Sequence, residues 1–293
     1  EKLAESNPIA REILKYREIQ KLLSTYIDPI PDLVSEDGRL RANFVQTGTT
    51  TGRFSSNNPN LQNIPTRTEK GKNIRNAFVA KEGSVLVSFD YSQIELRVAA
   101  LLSQDSYFIE TFKNKGDIHK SVAMKVFGVD ENSVTQEMRR RAKIINFGIL
   151  YGMGVNALKQ NLTTEDGENE KIEVSRAEAQ AFYDNYFAEF PTIAGYLESV
   201  KNFAKKYGYT KTLFGRKRYF NGIKSPLPFI RAMAERMAIN APIQGTATAD
   251  IIKIGMKNAD DKIKELGFSD KAELVLQVHD ELIYEVEENI KDK

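Results

Sequence analysis

Two aspartates close two alternating apolar stretches. Asp90 ends the run Ser84-Val-Leu-Val-Ser-Phe, and Asp280 follows Glu273-Leu-Val-Leu-Gln-Val-His. Alternation at period two reads as a strand with one face buried, so each carboxylate stands at a strand end. If the two strands lie side by side, the pair is suited to a divalent cation. Hard cations such as Mg²⁺ take oxygen ligands, commonly one or two protein carboxylates with substrate phosphates completing the shell. That arrangement suits phosphoryl transfer by two metal ions.

A second pattern lies in residues 135–161. Arg139, Lys143, Phe147 and Tyr151 recur at i, i+4, i+8 and i+12. Residues four apart share a helix face, with a slow drift at 3.6 residues per turn. The face grades from cations to aromatics, so a triphosphate would meet one end and a base the other. The same stripe also reads as aromatics packed in a core with cations facing water. Gly148, Gly152 and Gly154 allow close approach and bending. A third run, 201–218, carries seven Lys/Arg and no acid, interleaved with Phe203, Tyr207, Tyr209 and Phe214. Such a mixture suits a phosphate backbone and stacked bases; a solvated helix face followed by a hairpin explains it equally well.

These residues need a scaffold. At 293 residues the chain buries a full core, in one large or two modest domains. It starts at Glu1 without Met and ends in a charged stretch, and so reads as part of a longer protein. Its 42 Lys+Arg against 40 Asp+Glu leave +2, too balanced to indicate nucleic acid by itself. The absence of cysteine excludes disulfides and thiolate metal sites and fits a reducing compartment. No apolar run approaches the ~18 residues of a membrane span. Helix is expected over 8–27, where Ile9, Ile13, Tyr16, Ile19 and Leu23 keep helical spacing, with Pro29 and Pro31 ending it. Residues 38–65 read as a long irregular segment with a possible strand in 40–47, and such segments are often functional. A strand is expected over 84–90 and a helix over 92–103. Further helices are expected over 104–127, 135–161, 175–206 and 228–266, then a β-hairpin over 273–287. The polar, acidic residues 163–173 read as an exposed loop. The fold class is α+β: an antiparallel sheet holding both aspartates, with a helical subdomain inserted between them.

Seven segments in order resemble the family A DNA polymerases, the bacterial DNA polymerase I class. Residues 90–97 (DYSQIELR) look like motif A, 139–152 (RRRAKIINFGILYG) like motif B and 277–282 (QVHDEL) like motif C. Residues 51–65, 117–129, 212–219 and 235–250 also match, so the likeness covers nearly the whole chain. The resemblance implies that Asp90 and Asp280, with the Tyr91 carbonyl, ligate two Mg²⁺ ions. Glu281 would have a less direct catalytic role. Arg139, Lys143 and His119 would contact the incoming triphosphate, Lys143 also serving as a proton donor to pyrophosphate. Gln93 would join this nucleotide site. Phe147 would pack on the sugar and base, Tyr151 would stack on the template, and Glu95 would exclude a 2′-hydroxyl. Arg53, Asn60, Asn63, Arg67, Arg236, Asn240, Gln244 and His279 would line the primer–template DNA, where minor-groove acceptors allow pair shape to be tested without reading sequence.

The resemblance further implies four parts: a thumb-base helix (1–30), a first palm segment (31–103), fingers (104–222) and a second palm segment (223–293). Most of the thumb and the closing palm segment are expected to lie outside this chain. No stretch resembles an acidic 3′–5′ exonuclease site. The implied activity is DNA-directed DNA synthesis from dNTPs in replication or repair, by a monomer without membrane contact. The expected location is the bacterial cytoplasm at the nucleoid, an organellar or viral source being compatible. Two alternatives are a single-subunit RNA polymerase and a polymerase-fold module that holds nucleic acid without extending it. Glu95 and the intact aspartate pair weigh against them.

Overall fold

The computed structural model describes residues 2–65, 68–163 and 173–292. It divides into two compact units. The first is Glu1–Tyr91 with Lys253–Lys293; the second, Ser92–Ile252, is inserted between those two segments. The strands in chain order are β1 (Asn43–Val45), β2 (Ser55–Asn57), β3 (Ser84–Asp90), β4 (Tyr209–Lys211), β5 (Lys217–Tyr219), β6 (Ala272–Val278) and β7 (Glu281–Glu287).

The first unit is built on an antiparallel sheet of order β3-β7-β6. β7 is central, and Leu282, Tyr284, Glu285 and Val286 on it are buried. Its register against β3 runs from Ser84 opposite Glu287 to Asp90 opposite Glu281. β6 pairs with the other edge of β7, with a bulge between Leu274 and Leu276. Phe89 meets Tyr284 edge to face, ring centroids 5.9 Å apart. The buried Glu285 carboxylate accepts from Arg39 Nη2 at 2.6 and 3.0 Å and from the Lys81 backbone N–H at 3.4 Å. The arginine hydrogen bond outweighs the cost of burial and holds the Glu285 carboxyl below its ordinary pKa.

The expected 8–27 helix is present as Pro8–Leu22 followed by a π-helical turn, Leu23–Ile27. Asn7 caps it by accepting from the N–H groups of Ile9 and Ala10. Pro29 does not end helical structure there but opens a short helix, Pro29–Leu33, because a missing N–H costs nothing at the first helical position. Ile9, Ile13, Tyr16, Ile19 and Leu23 are all exposed, while Leu22 and Tyr26 are buried. The possible strand in 40–47 is the three-residue β1, paired with β2.

The second unit is helical, with Leu96, Phe108, Ile118, Val122, Ile145, Leu158, Tyr186 and Ile193 fully buried. Three long helices expected from the apolar period are each two. Residues 104–127 give Ser106–Lys113 and Ile118–Phe127, and 135–161 give Gln136–Leu150 and Val155–Leu162. Residues 175–206 give Arg176–Glu189 and Pro191–Tyr207. The breaks have local causes. Lys115 takes φ 55° and Gly152 takes φ 70°, and Pro191 starts its own helix. Pro228–Gly245 runs into a π-helical stretch, Thr246–Ile251, just after Pro242 removes one donor from the ladder. Most of the acidic segment 163–173 lies outside the described residues.

Candidate active site

In the first unit the sheet gathers three carboxylates. Asp90 closes β3 opposite Glu281, the first residue of β7, and Asp280 directly precedes Glu281. The Tyr91 N–H donates to the Asp280 carbonyl at 3.1 Å, tying the end of β3 to the turn. That turn is the pair His279–Asp280, with His279 in the left-handed region at φ 55°. A non-glycine residue there is uncommon. Ser88 donates its hydroxyl to Glu281. Burial, then the charges of Asp280 and Glu281, raise the Asp90 carboxyl above its ordinary pKa. Among the described residues no three His, Cys, Asp or Glu side chains converge closely enough to hold a metal ion by themselves. Asp90 and Asp280 offer carboxylate oxygens at this corner, hard donors to which substrate oxygens could be added. Such a set fits Mg²⁺, which seldom relies on an all-protein cage.

An amide relay, absent from the sequence reading, supports this corner. Gln62 donates to the backbone carbonyl of Gln277 at 3.1 Å and to its side-chain oxygen at 2.9 Å. Gln277 in turn donates to the His279 carbonyl at 2.7 Å. Gln62 sits in the 3₁₀ turn Leu61–Asn63, which Asn60 caps at 3.1 Å. The irregular 38–65 segment is thus fastened to the strand that leads into Asp280. A cleft of about 1000 Å³ in this unit is lined by Asp90, His279, Asp280, Glu281, Gln62 and Asn63, among others.

In the second unit the stripe lies on Gln136–Leu150 and its C-cap, Tyr151. The buried residues of this helix are Ala142, Ile145, Asn146, Gly148, Ile149 and Leu150. Lys143 and Tyr151 are exposed, and Arg139 and Phe147 are half-buried, so the stripe is not the packing face. Phe147 and Tyr151 stack at 6.3 Å with 19° between their planes. Arg139 donates from Nε to Asp117 at 2.5 Å. Asp117 also caps Ile118–Phe127 through the N–H groups of His119 and Lys120. Burial works against the charged Asp117, but the Arg139 and backbone hydrogen bonds prevail and lower its pKa. His119 is 2% exposed, beside Phe147 at 5.8 Å. Burial pushes its pKa down to about 4, so it is neutral near pH 7. Lys143 makes no ion pair among the described residues. Glu95, in the first turn of Ile94–Ser103, is buried and accepts from the Tyr151 hydroxyl. Gln93 precedes this helix at φ 55° and makes no capping hydrogen bond with its side chain.

The residues expected to line DNA fall in both units. Arg53, Asn60, Asn63 and His279 belong to the first. In the second, Arg236, Asn240 and Gln244 follow one another at i, i+4 and i+8 on Pro228–Gly245 and so share a face. Arg67 lies outside the described residues. The basic run 201–218 ends in the β4–β5 hairpin. Much of its charge is engaged within the unit. Lys201 pairs with Glu198, Lys205 with Glu235 at 2.9 Å and Arg216 with the buried Asp250 at 2.7 Å. Lys211 and Lys217 lie 5.8 and 4.9 Å from the Tyr209 ring centre.

The sequence profile described as DNA polymerase family A matches residues 1–293, the full length of the chain. The chain belongs to DNA polymerase family A. Among its relatives is the thermostable DNA polymerase I of Thermus aquaticus, 48% identical over 286 residues, which are 97% of this chain and 33% of that protein. DNA polymerase I of Chloroflexus aurantiacus is 47% identical over 290 residues, 99% of this chain and 29% of its own. This family A chain therefore spans about a third of the length of the curated relatives it matches. A solved structure, the POL domain of Pol1 from M. smegmatis in complex with DNA primer-template and dNTP, is similar with a TM-score of 0.85 and 43% identity. The match covers 96% of this chain and 47% of that one. The α+β class, with an antiparallel sheet and an inserted helical unit, agrees with that neighbour.

Proposed function

We propose that this chain carries template-directed DNA synthesis. A primer 3′-oxygen forms a bond to the α-phosphorus of a dNTP, the bond from that phosphorus to pyrophosphate breaks, and pyrophosphate leaves. The observation that carries the reading is the carboxylate corner, with Asp90 opposite Glu281 across β3–β7 and Asp280 tied to Tyr91, in a member of this family.

Asp90, Asp280 and the Tyr91 carbonyl would hold two Mg²⁺ ions. When bound, such ions polarise phosphate oxygens and lower the pKa of the attacking hydroxyl. Glu281, engaged by Ser88, adds negative potential beside them. Arg139 and Lys143 hold the triphosphate by charge, and Lys143 hands a proton to the departing pyrophosphate. His119 donates to a phosphate oxygen. Phe147 covers the sugar and base, Gln93 borders the nucleotide, and Tyr151 stacks on the template. Glu95 blocks the 2′ position. Arg53, Asn60, Asn63, Arg67, Arg236, Asn240, Gln244 and His279 contact primer–template DNA. The four parts 1–30, 31–103, 104–222 and 223–293 are assigned as thumb base, palm, fingers and palm. With bacterial relatives, the assigned setting is replication or repair at the nucleoid, by a monomer.

The test is extension of a labelled primer–template by the full-length protein with Mg²⁺ and one nucleotide at a time. Extension only by the complementary dNTP is expected. Tight DNA binding with no extension would leave a binding module. Equal use of rNTPs would favour an RNA polymerase.

A further inference from the structure

On Gln136–Leu150 the residues 142, 146 and 150 form one row at helical spacing, and all three are buried: Ala142 at 0%, Asn146 at 0% and Leu150 at 2% exposure. Ile145 and Ile149 beside them are equally enclosed. Asn146 is thus an amide in an apolar row. Its Nδ2 lies 3.2 Å from Nδ1 of His119, on Ile118–Phe127. Its Oδ1 is buried and has no hydrogen-bond partner among the described residues. Burying an amide half satisfied lowers stability, and an apolar side chain of similar size would pack there without that cost. Something other than packing accounts for an amide at this point.

The imidazole supplies it. A neutral imidazole carries one N–H and one acceptor nitrogen, and which is which follows from the hydrogen bond that one of them makes. An amide N–H directed at Nδ1 makes Nδ1 the acceptor and leaves the proton on Nε2. Phosphate oxygens only accept. A neutral histidine serves a triphosphate only if the nitrogen facing it carries the proton.

We propose that Asn146 is a positioning residue: its buried amide holds neutral His119 in the Nε2–H tautomer, so that the ring presents a donor to the incoming triphosphate. The proposal rests on the reading of His119 as a triphosphate contact. Asn146 itself touches no substrate; it acts through the ring.

The chain has two histidines, His119 and His279; in ¹⁵N NMR of imidazole-labelled full-length protein near pH 7.5, the His119 signals are assigned as those absent from a His119→Gln variant. The expected spectrum has a protonated Nε2 and a bare Nδ1 on His119, with exchange between tautomers or the Nδ1–H form in Asn146→Leu. Asn146→Asp, whose carboxylate accepts from Nδ1–H, should give the opposite tautomer or the imidazolium. In steady-state extension, Asn146→Leu should raise KM for dNTP about tenfold, as expected for a lost hydrogen bond to a charged group. The same change in a His119→Ala background should then add little. A parent protein in the Nδ1–H form would overturn the proposal, as would Asn146→Leu keeping the Nε2–H form. Full additivity of the two substitutions would overturn it as well, since Asn146 would then act without the ring. If NMR shows the expected tautomers but His119→Ala leaves KM unchanged, the triphosphate reading fails, and the proposal's functional half with it.

Discussion

Glu95 is a carboxylate in the first turn of Ile94–Ser103, 8% exposed and held by the Tyr151 hydroxyl. A side chain so restrained is a wall rather than a mobile surface acid, and on the proposed reading an added 2′-hydroxyl would be rejected by bulk, a repulsive route to specificity. Glu95→Ala should therefore admit ribonucleotides while deoxynucleotide use changes little. Tyr151→Phe, which loses the hydroxyl that holds Glu95, should shift the balance in the same direction by less. The ratio of kcat/KM for rNTP to dNTP measures both, and an unchanged ratio in Glu95→Ala would remove Glu95 as the gate. His119 gives a second test at this scale. Its folded pKa of about 4 lies below the ordinary 6.5. Between those values the unfolded chain binds more protons, so stability is full above about pH 6.5 and falls as pH drops toward 4. The loss attributable to this group is at most about 3 kcal/mol. Denaturant unfolding at pH 7, 5.5 and 4.5 should show that decline, with a shallower slope in His119→Gln.

The stripe helix shows what spacing does and does not reveal. Four side chains at i+4 intervals share a face whatever the fold, so their alignment was readable. Whether that face meets core or ligand was not, because burial is decided by the row beside it, Ala142, Asn146 and Leu150. The family resemblance places Phe147, half-buried and in line with Lys143, against the sugar, and on that reading Phe147→Tyr should improve dideoxynucleotide use, its phenol replacing the hydrogen-bonding group that the sugar lacks. Lys143→Ala should raise KM for dNTP and lower kcat, since a cation near phosphate acts on ground and transition states alike. An unchanged ddNTP to dNTP ratio would mean that Phe147 does not face the sugar. The break after this helix belongs to the same scale. A Cβ on Gly152 would come within 3.0 Å of the Arg236 backbone, at φ +70°. Gly152→Ala should cost about 1–3 kcal/mol, measured by chemical unfolding. The helix ends at Gly152 and Pro191 escaped an apolar-period reading because the period itself runs on across them. The π-helical turns did so because they change backbone pitch without changing residue type.

Across the molecule, period-two alternation placed Asp90 at the end of β3, whereas Asp280, expected at a strand end, lies in the turn between β6 and β7. Their register was not legible. It depends on β7 pairing with a strand nearly two hundred residues earlier, a non-local choice that no local pattern encodes. The Gln62–Gln277 relay, spanning 215 positions, was hidden for the same reason. On the proposed mechanism Asp90 and Asp280 serve chemistry rather than DNA binding or folding. The direct measurement is single-nucleotide incorporation by full-length Asp90→Ala and Asp280→Ala under enzyme excess, with primer–template Kd determined on the same preparations. Incorporation should fall by several orders of magnitude in both, because charge stabilisation at the reacting phosphate is lost, while Kd stays within a few-fold of the parent. Near-parental incorporation in either variant, or loss of DNA binding in step with activity, would contradict that mechanism.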